Sequence, residues 1–396
     1  MELDVGALRD DTPGCDGKLI HLNNAGAALM PRPVIAAVTS HIALESRVGG
    51  YEAATEAADA VDAFYAQAAA LVGGKSDEIA FVDNATRAWQ GAFYAIDWKP
   101  GDQVLTARSE YNSHMIAFRH AERRFGIEPI LVPDTSEGTV DVEALERLIT
   151  SRTRLICVSH MPTNDGMINP AVEVGQVARR HGLPFLLDAC QSAGQMPIDV
   201  AELGCTMLST TGRKYLRGPR GTGFLWVQSD WLARLSPMTL DIGSARWTSI
   251  AEFDALTDAR KFEHWEANIA GKIGLATACG YATATGLPAI WRRVQMLAAR
   301  LREMIAQLPG FSVHDRGARK GGIVTFSHVA VPAERITTAL RQEFSINTSV
   351  SATQLTRTDL IGRGVAQMVR ASVHAYNTEE DLDRFAAALS ALGRPA

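Results

Sequence analysis

Five short, almost wholly apolar runs with helical stretches between them constrain this chain more than any other feature. Asp102–Ala107 follows the turn Lys99-Pro-Gly101, and Arg154–Ser159 is a second run. Val172–His181 has helical spacing and ends at Gly182. Pro184–Asp188, Thr206–Ser209 and Thr222–Val227 complete the set. A strand that is apolar on both faces has no solvent side. Such strands, separated by helices, predict a largely parallel sheet covered on both faces, the α/β class. Ligands bind such sheets at the carboxyl ends of the strands.

From about Gly286 the pattern changes. Leu287–Leu308 reads as a helix, Gly321–Ser327 as a strand, Pro332–Phe344 as a helix and Met368–Val373 as a strand. Thr378–Leu392 reads as a last helix, with Thr378 and Asp381 spaced as an N-cap pair. This predicts a smaller C-terminal α+β domain. The expected divisions are an N-terminal arm at 1–20, a large domain at 21–285 and a small domain at 286–396, with the arm able to join the small domain. Asp241–Trp265, the longest weakly patterned stretch, is expected to be an active-site or interface loop.

Composition excludes several classes. With 39 Lys and Arg against 44 Asp and Glu, the net charge is −5, which gives no support for a nucleic-acid or membrane-surface partner. No apolar run is long enough to span a bilayer. The acidic start Met1–Asp11 has no signal-peptide pattern, so a cytoplasmic location is expected. The five cysteines are odd in number, widely spaced and free of CxxC pairs, which argues against a disulfide framework and a structural metal site.

The chemistry gathers near Asp188 and Lys214. Each follows an apolar strand, so each is expected at a strand's carboxyl end. A carboxylate buried there needs a cation or strong donors. Such a pair suits pyridoxal phosphate, the lysine forming a Schiff base and the aspartate holding the pyridine nitrogen protonated. Taken alone, the two residues equally allow a structural Asp–Lys bridge.

Three motifs in order widen the reading: Asp188-x-x-Gln191, the Lys214 segment with Gly218-Pro-Arg-Gly-Thr-Gly223, and Val369-Arg-Ala-Ser372 before Tyr376-Asn-Thr. From about His21 onward the chain resembles the class V aminotransferases of fold type I. That group includes cysteine desulfurases, selenocysteine lyase, isopenicillin epimerase and ergothioneine-pathway C–S lyases. The resemblance implies a large domain with a mostly parallel, seven-stranded type of sheet that binds pyridoxal 5′-phosphate. It implies that Lys214 is the Schiff-base lysine and proton shuttle, that Asp188 pairs with the pyridine nitrogen, and that Gln191 bonds the phenolic oxygen. Ala85 and Thr86, after Asn84, match the phosphate-binding turn before a helix, where free N–H groups attract a phosphate. Thr211 and Arg213 are expected at the same phosphate. Arg213 stands where desulfurases have His and can clamp a phosphate with two donors. Tyr111 is expected to stack on the ring, with Asn112 and His114 as alternatives. Arg370 matches the arginine that grips the substrate α-carboxylate, and Thr163 and Asn164 take the substrate side.

Two departures narrow the chemistry. The loop Asn347–Gln354, where desulfurases carry a nucleophilic cysteine, has none. Phe262–Asn268 places Glu266 near a position where the family uses Thr to reach a phosphate across the subunit boundary, and a carboxylate would be repelled there. The Trp265-Glu266 version is nearer the lyase and epimerase branches. The expected activity is an amino-acid reaction through an α-carbanion, most simply β-elimination on a cysteine derivative, in a homodimer with shared active sites. Transamination and epimerisation use the same carbanion, and desulfuration or selenocysteine lysis is less favoured. Cys157 and Cys190 are expected as packing residues, with Cys190 facing away from the ring. A non-catalytic scaffold on this fold would be expected to lack Lys214, Asp188 or Arg370, and all three are present.

Overall fold

The computed structural model describes residues 3–393. Met1, Glu2 and residues 394–396, the extreme ends of the expected arm and small domain, lie outside the described residues. The central sheet has seven strands: β1 Ile79–Val82, β2 Gln103–Thr106, β3 Glu128–Leu131, β4 Thr153–Ser159, β5 Phe185–Asp188, β6 Met207–Thr211 and β7 Gly223–Val227. Their spatial order is β1-β7-β6-β5-β4-β2-β3. Every pairing from β6 to β3 is parallel, and β7 alone runs against its neighbours.

The apolar runs become strands because helices cover both of their faces. Phe185 and Leu187 point into one core, with Phe64, Val174 and Leu275. Leu186, between them, points into the other, with Trp89, Phe93 and Phe118. This alternation with no polar face is what a doubly covered sheet requires.

The C-terminal part forms a four-stranded antiparallel sheet from Phe311–Val313, Ile323–His328, Ser349–Ala352 and Gln367–Ser372. Its core joins Leu297, Leu301, Leu340 and Phe385 to Leu8, Ile20 and Leu22 from the start of the chain. Ile20–His21 also pairs in parallel with Ile346–Asn347. The last helix, Glu379–Leu392, opens on a reciprocal cap. Thr378 accepts the Asp381 N–H at 3.2 Å, and Asp381 accepts the Thr378 N–H at 3.1 Å.

The weakly patterned stretch contains an antiparallel ribbon, Ala245–Trp247 with Phe253–Ala255. No single helix among the described residues is long and apolar enough to cross a membrane.

Candidate active site

Strand direction assembles the site. β1, β2, β4, β5 and β6 all deliver their carboxyl ends to one edge of the sheet. There, a slot of about 360 Å³ is lined by Ala85, Thr86, Tyr111, Asp188, Thr211, Arg213 and Lys214. These seven positions, far apart in sequence, were all expected to meet. Gln191, Thr163, Asn164 and Arg370 lie beside the slot rather than in its lining.

At one end is the helix Ala85–Tyr94. Asn84 caps it by accepting the Arg87 N–H at 3.0 Å. The first-turn N–H groups of Ala85 and Thr86 have no intrahelical acceptor. The helix reaches the sheet because Gly223 has no side chain: a Cβ there would stand 2.5 Å from the Thr210 carbonyl and 3.3 Å from the Ala85 nitrogen. Arg213 reaches Thr211 Oγ1 at 3.2 Å. Helix N–H groups, a hydroxyl and a guanidinium together form a donor set for a phosphate.

In the middle, Asp188 ends β5 and accepts the Cys190 N–H at 2.8 Å through Oδ1. Lys214 follows β6 on the connection that turns back into β7. Its Nζ lies 5.8 Å from the centre of the Tyr111 ring. Burial, together with Arg213 and Arg370, pushes the Lys214 ammonium below the usual lysine range, against the pull of Cys190 and Asp188. A lysine depressed in this way is a better nucleophile.

At the rim, Arg370 donates to the Thr163 carbonyl at 3.2 Å and also to its hydroxyl, while its Nε reaches Ser349 Oγ at 3.1 Å. Gln191 Nε2 donates to Thr163 Oγ1 at 3.3 Å and to the Ala25 carbonyl at 3.1 Å. Two buried amide atoms, Gln191 Oε1 and Asn164 Nδ2, have no partner among the described residues.

One expectation changes. Cys190 lines the slot beside Lys214 instead of facing away from it. The chain leaves the strand at Asp188 and turns back within two residues, as the Asp188 bond to the Cys190 N–H shows, so strand alternation no longer sets the side-chain direction. Burial holds this thiol well above its ordinary range. His114, offered as an alternative to Tyr111 over the ring, lines the slot as well; one face of its ring is stacked on Trp89, at 4.2 Å between ring centres and 9° between planes, and its Nε2 lies 3.9 Å from Asp188 Oδ2. It follows Glu110 by four residues at the start of the helix Asn112–Phe125, a spacing that brings the two side chains together. Arg220 and Asp83, not anticipated, also line the slot. Glu266 lies in a neighbouring cleft with Arg87 and His264, which shares the Asp83 wall.

The slot suits pyridoxal 5′-phosphate. Phosphate donors sit at one end, a carboxylate and a lysine in the middle, an aromatic ring at the side, and an unpartnered Gln191 oxygen nearby.

The same conclusion comes from comparison. The aminotransferase class V model matches residues 20–385. A probable cysteine desulfurase of Xylella fastidiosa is 30% identical over 384 residues, covering 94% of this chain and 90% of that protein. The apo cysteine desulfurase of Thermococcus onnurineus superposes with a TM-score of 0.90 at 25% identity, covering 99% of this chain and 98% of the other. The cystine C–S lyase C-DES, solved with its product cysteine persulfide, has a TM-score of 0.84 over 93% of this chain and 97% of its own; at 22% identity it speaks for the fold alone. The chain belongs to the class V aminotransferase family, and it is a pyridoxal-phosphate-dependent enzyme.

Proposed function

We propose that this enzyme cleaves the C–S bond of a cysteine derivative by β-elimination, releasing a thiol, pyruvate and ammonia. The observation that carries this reading is a pairing. Lys214 and Asp188 face one slot with Arg370 at its rim, while the segment 347–354 offers no thiol to receive sulfur.

The bound cofactor supplies an electron sink for the charge that develops at the substrate α-carbon. The chain does the rest. Arg370, positioned by Thr163 and Ser349, grips the α-carboxylate, and Asn164 stands on the same side. Lys214 takes the α-proton, a role that suits its depressed ammonium. With the cofactor in the slot, Asp188 would stabilise its protonated ring nitrogen, Gln191 would bond its phenolic oxygen and Tyr111 would cover the ring. Ala85, Thr86, Thr211 and Arg213 would hold its phosphate. Loss of the thiolate from the β-carbon completes the elimination, and water then converts the enamine product to pyruvate and ammonium.

The relatives' names favour desulfuration as the second reading. That reaction needs a thiolate acceptor on the enzyme. Burial keeps Cys190 protonated, so the slot offers a poor one. Transamination and epimerisation remain the alternatives within the same machinery. The test mixes holoenzyme with S-substituted cysteines, cystine, free cysteine and ordinary amino acids, and follows pyruvate, keto-acid-dependent amino transfer, protein persulfide and optical rotation in parallel. Pyruvate from S-substituted cysteine or cystine, abolished by Lys214→Ala, is the expected result. Alanine from free cysteine with a persulfide on the protein would replace elimination by desulfuration.

A further inference from the structure

Close to Asp188, the chain buries a second carboxylate. Glu110 is 1% exposed and sits on the connection between β2 and the helix Asn112–Phe125. It accepts the Tyr111 N–H at 2.9 Å, the Ser159 N–H at 3.0 Å, the Thr106 hydroxyl at 3.4 Å and the Ser159 hydroxyl. His114 Nδ1 adds a further bond at 2.9 Å. Burial alone would raise this carboxyl, but His114 and the other donors hold it below its ordinary range. Glu110 is therefore an anion, and the Nδ1 that faces it carries a proton.

The Glu110 bond sets which nitrogen faces which acid, and packing fixes the plane of the imidazole ring. One face lies flat on Trp89, and the Tyr111 ring stands edge-on to it at 5.6 Å. Its remaining nitrogen, Nε2, points to Asp188 Oδ2 at 3.9 Å. A neutral ring protonated on Nδ1 would set a lone pair against that carboxylate. A ring carrying both protons would set an N–H there, and charge between the two acids would balance better: two anions with one cation leave a single negative charge for the cofactor's ring nitrogen to meet.

We propose that Glu110 and His114 form a buried relay, with His114 held as an imidazolium, that keeps Asp188 ionised and aims its Oδ2 at the cofactor's ring nitrogen. His114 is then a positioning residue acting through Asp188. Removing its charge leaves the Glu110 and Asp188 carboxylates with no cation between them, so the proton shared with the ring nitrogen is drawn toward Asp188 and the electron sink weakens. The inference rests on pyridoxal phosphate occupying the slot and is independent of the reaction catalysed.

The test is nitrogen NMR on protein labelled at histidine and reconstituted with cofactor labelled at the ring nitrogen. In the wild type, His114 should show protons on both nitrogens, and the ring nitrogen should be protonated. In His114→Asn and in Glu110→Gln, cofactor should still bind through the phosphate end, while the ring-nitrogen signal moves toward the unprotonated form. Turnover should fall about 10- to 100-fold, the lower part of what electrostatic positioning commonly contributes. A neutral His114 in the wild type overturns the proposal, and so does an unmoved ring-nitrogen signal in His114→Asn. If the variants do not fold, the wild-type histidine signals still decide. Failure of the cofactor to bind at all would count against the slot assignment, and the histidine spectrum of the apoprotein would then judge the relay separately.

Discussion

Both ring nitrogens of His374 are engaged. Nε2–H donates to the Tyr215 carbonyl at 2.9 Å, and Nδ1 accepts the Ala375 N–H at 2.7 Å. Protonating Nδ1 would turn that acceptor into a donor facing a donor. Burial, with Arg217 adding to it, pushes His374 down to about 3, and burial likewise pushes His160 down to about 4. The unfolded chain takes up these protons near pH 6.5, whereas the native one does not. The native advantage is therefore complete above pH 6.5 and declines as pH falls toward 4, at about 1.4 kcal/mol per unit for each fully shifted group. Urea midpoints at pH 7.5 and pH 5 should show this loss, and His374→Gln should lose less than the wild type. An equal loss in the variant would remove His374 from the explanation. Because Tyr215 follows Lys214, the same contact steadies the lysine. At this scale Asp188 and Lys214 were legible because each follows an apolar strand. The orientation of Cys190 was not, because a tight turn after Asp188 replaces strand alternation. His374 gave no signal, since its partners are backbone groups 159 residues away and next door.

Among elements, the five apolar runs read from the sequence became strands to within one or two residues, whereas the two strands Ile79–Val82 and Glu128–Leu131 were not anticipated. The antiparallel course of β7 was not legible either, since direction depends on the short return through Lys214–Thr222 and not on hydropathy. Nor was the charge cluster that ties the C-terminal part to the turn at Thr163–Asp165. Arg316 bonds Asp165 at 2.8 Å and Asp359 at 2.7 Å, and Arg363 bonds Asp359 at 3.2 Å and reaches Asp165 at 3.4 Å. Both aspartate side chains are essentially inaccessible. Asp165 follows the Thr163-Asn164 pair, and next to Asp359 the Thr358 hydroxyl donates to the Arg108 carbonyl at 2.7 Å. The short helix Arg357–Leu360 is thus fastened to the Arg108 carbonyl and, through Arg316 and Arg363, to Asp165. Arg316→Ala would leave Arg363 as the one arginine of the cluster against two buried carboxylates, a change worth about 3 kcal/mol or more. We expect a lower urea midpoint. Because Arg370 leans on Thr163, KM for the amino acid should also rise more than kcat falls, with cofactor affinity unchanged. A variant with wild-type stability and KM would show that the cluster fastens nothing the substrate feels.

For the molecule as a whole, the sequence distinguished a doubly covered sheet from an α+β remainder, but it did not place the ribbon of the weakly patterned stretch. That ribbon carries an unusual load. Ile242, Trp247, Ile250, Phe253 and Trp265 are all more than half exposed, and Ile250 is 95% exposed. Trp247 and Phe253 are direct cross-strand partners, so their side chains share one face. Apolar residues scattered singly over a surface need no explanation, whereas several within one short segment mark a contact. A second copy of the chain is the occupant we expect, because this segment ends in the Trp265-Glu266 loop beside the cleft that shares its Asp83 wall with the cofactor slot. A copy seated on the ribbon and the Trp265-Glu266 loop would stand beside that cleft, next to the Asp83 wall of the slot. The wild type should therefore sediment as a dimer at micromolar concentration. Trp247→Ser with Ile250→Asp should shift it toward monomer, weaken cofactor retention and lower turnover together, because burying a charged side chain opposite an apolar partner is costly. The paired substitution sits on exposed positions, so the monomer itself should keep its helical circular dichroism. A wild-type monomer that is fully active would sink the shared-site reading, as would a variant monomer that still binds cofactor and turns over normally.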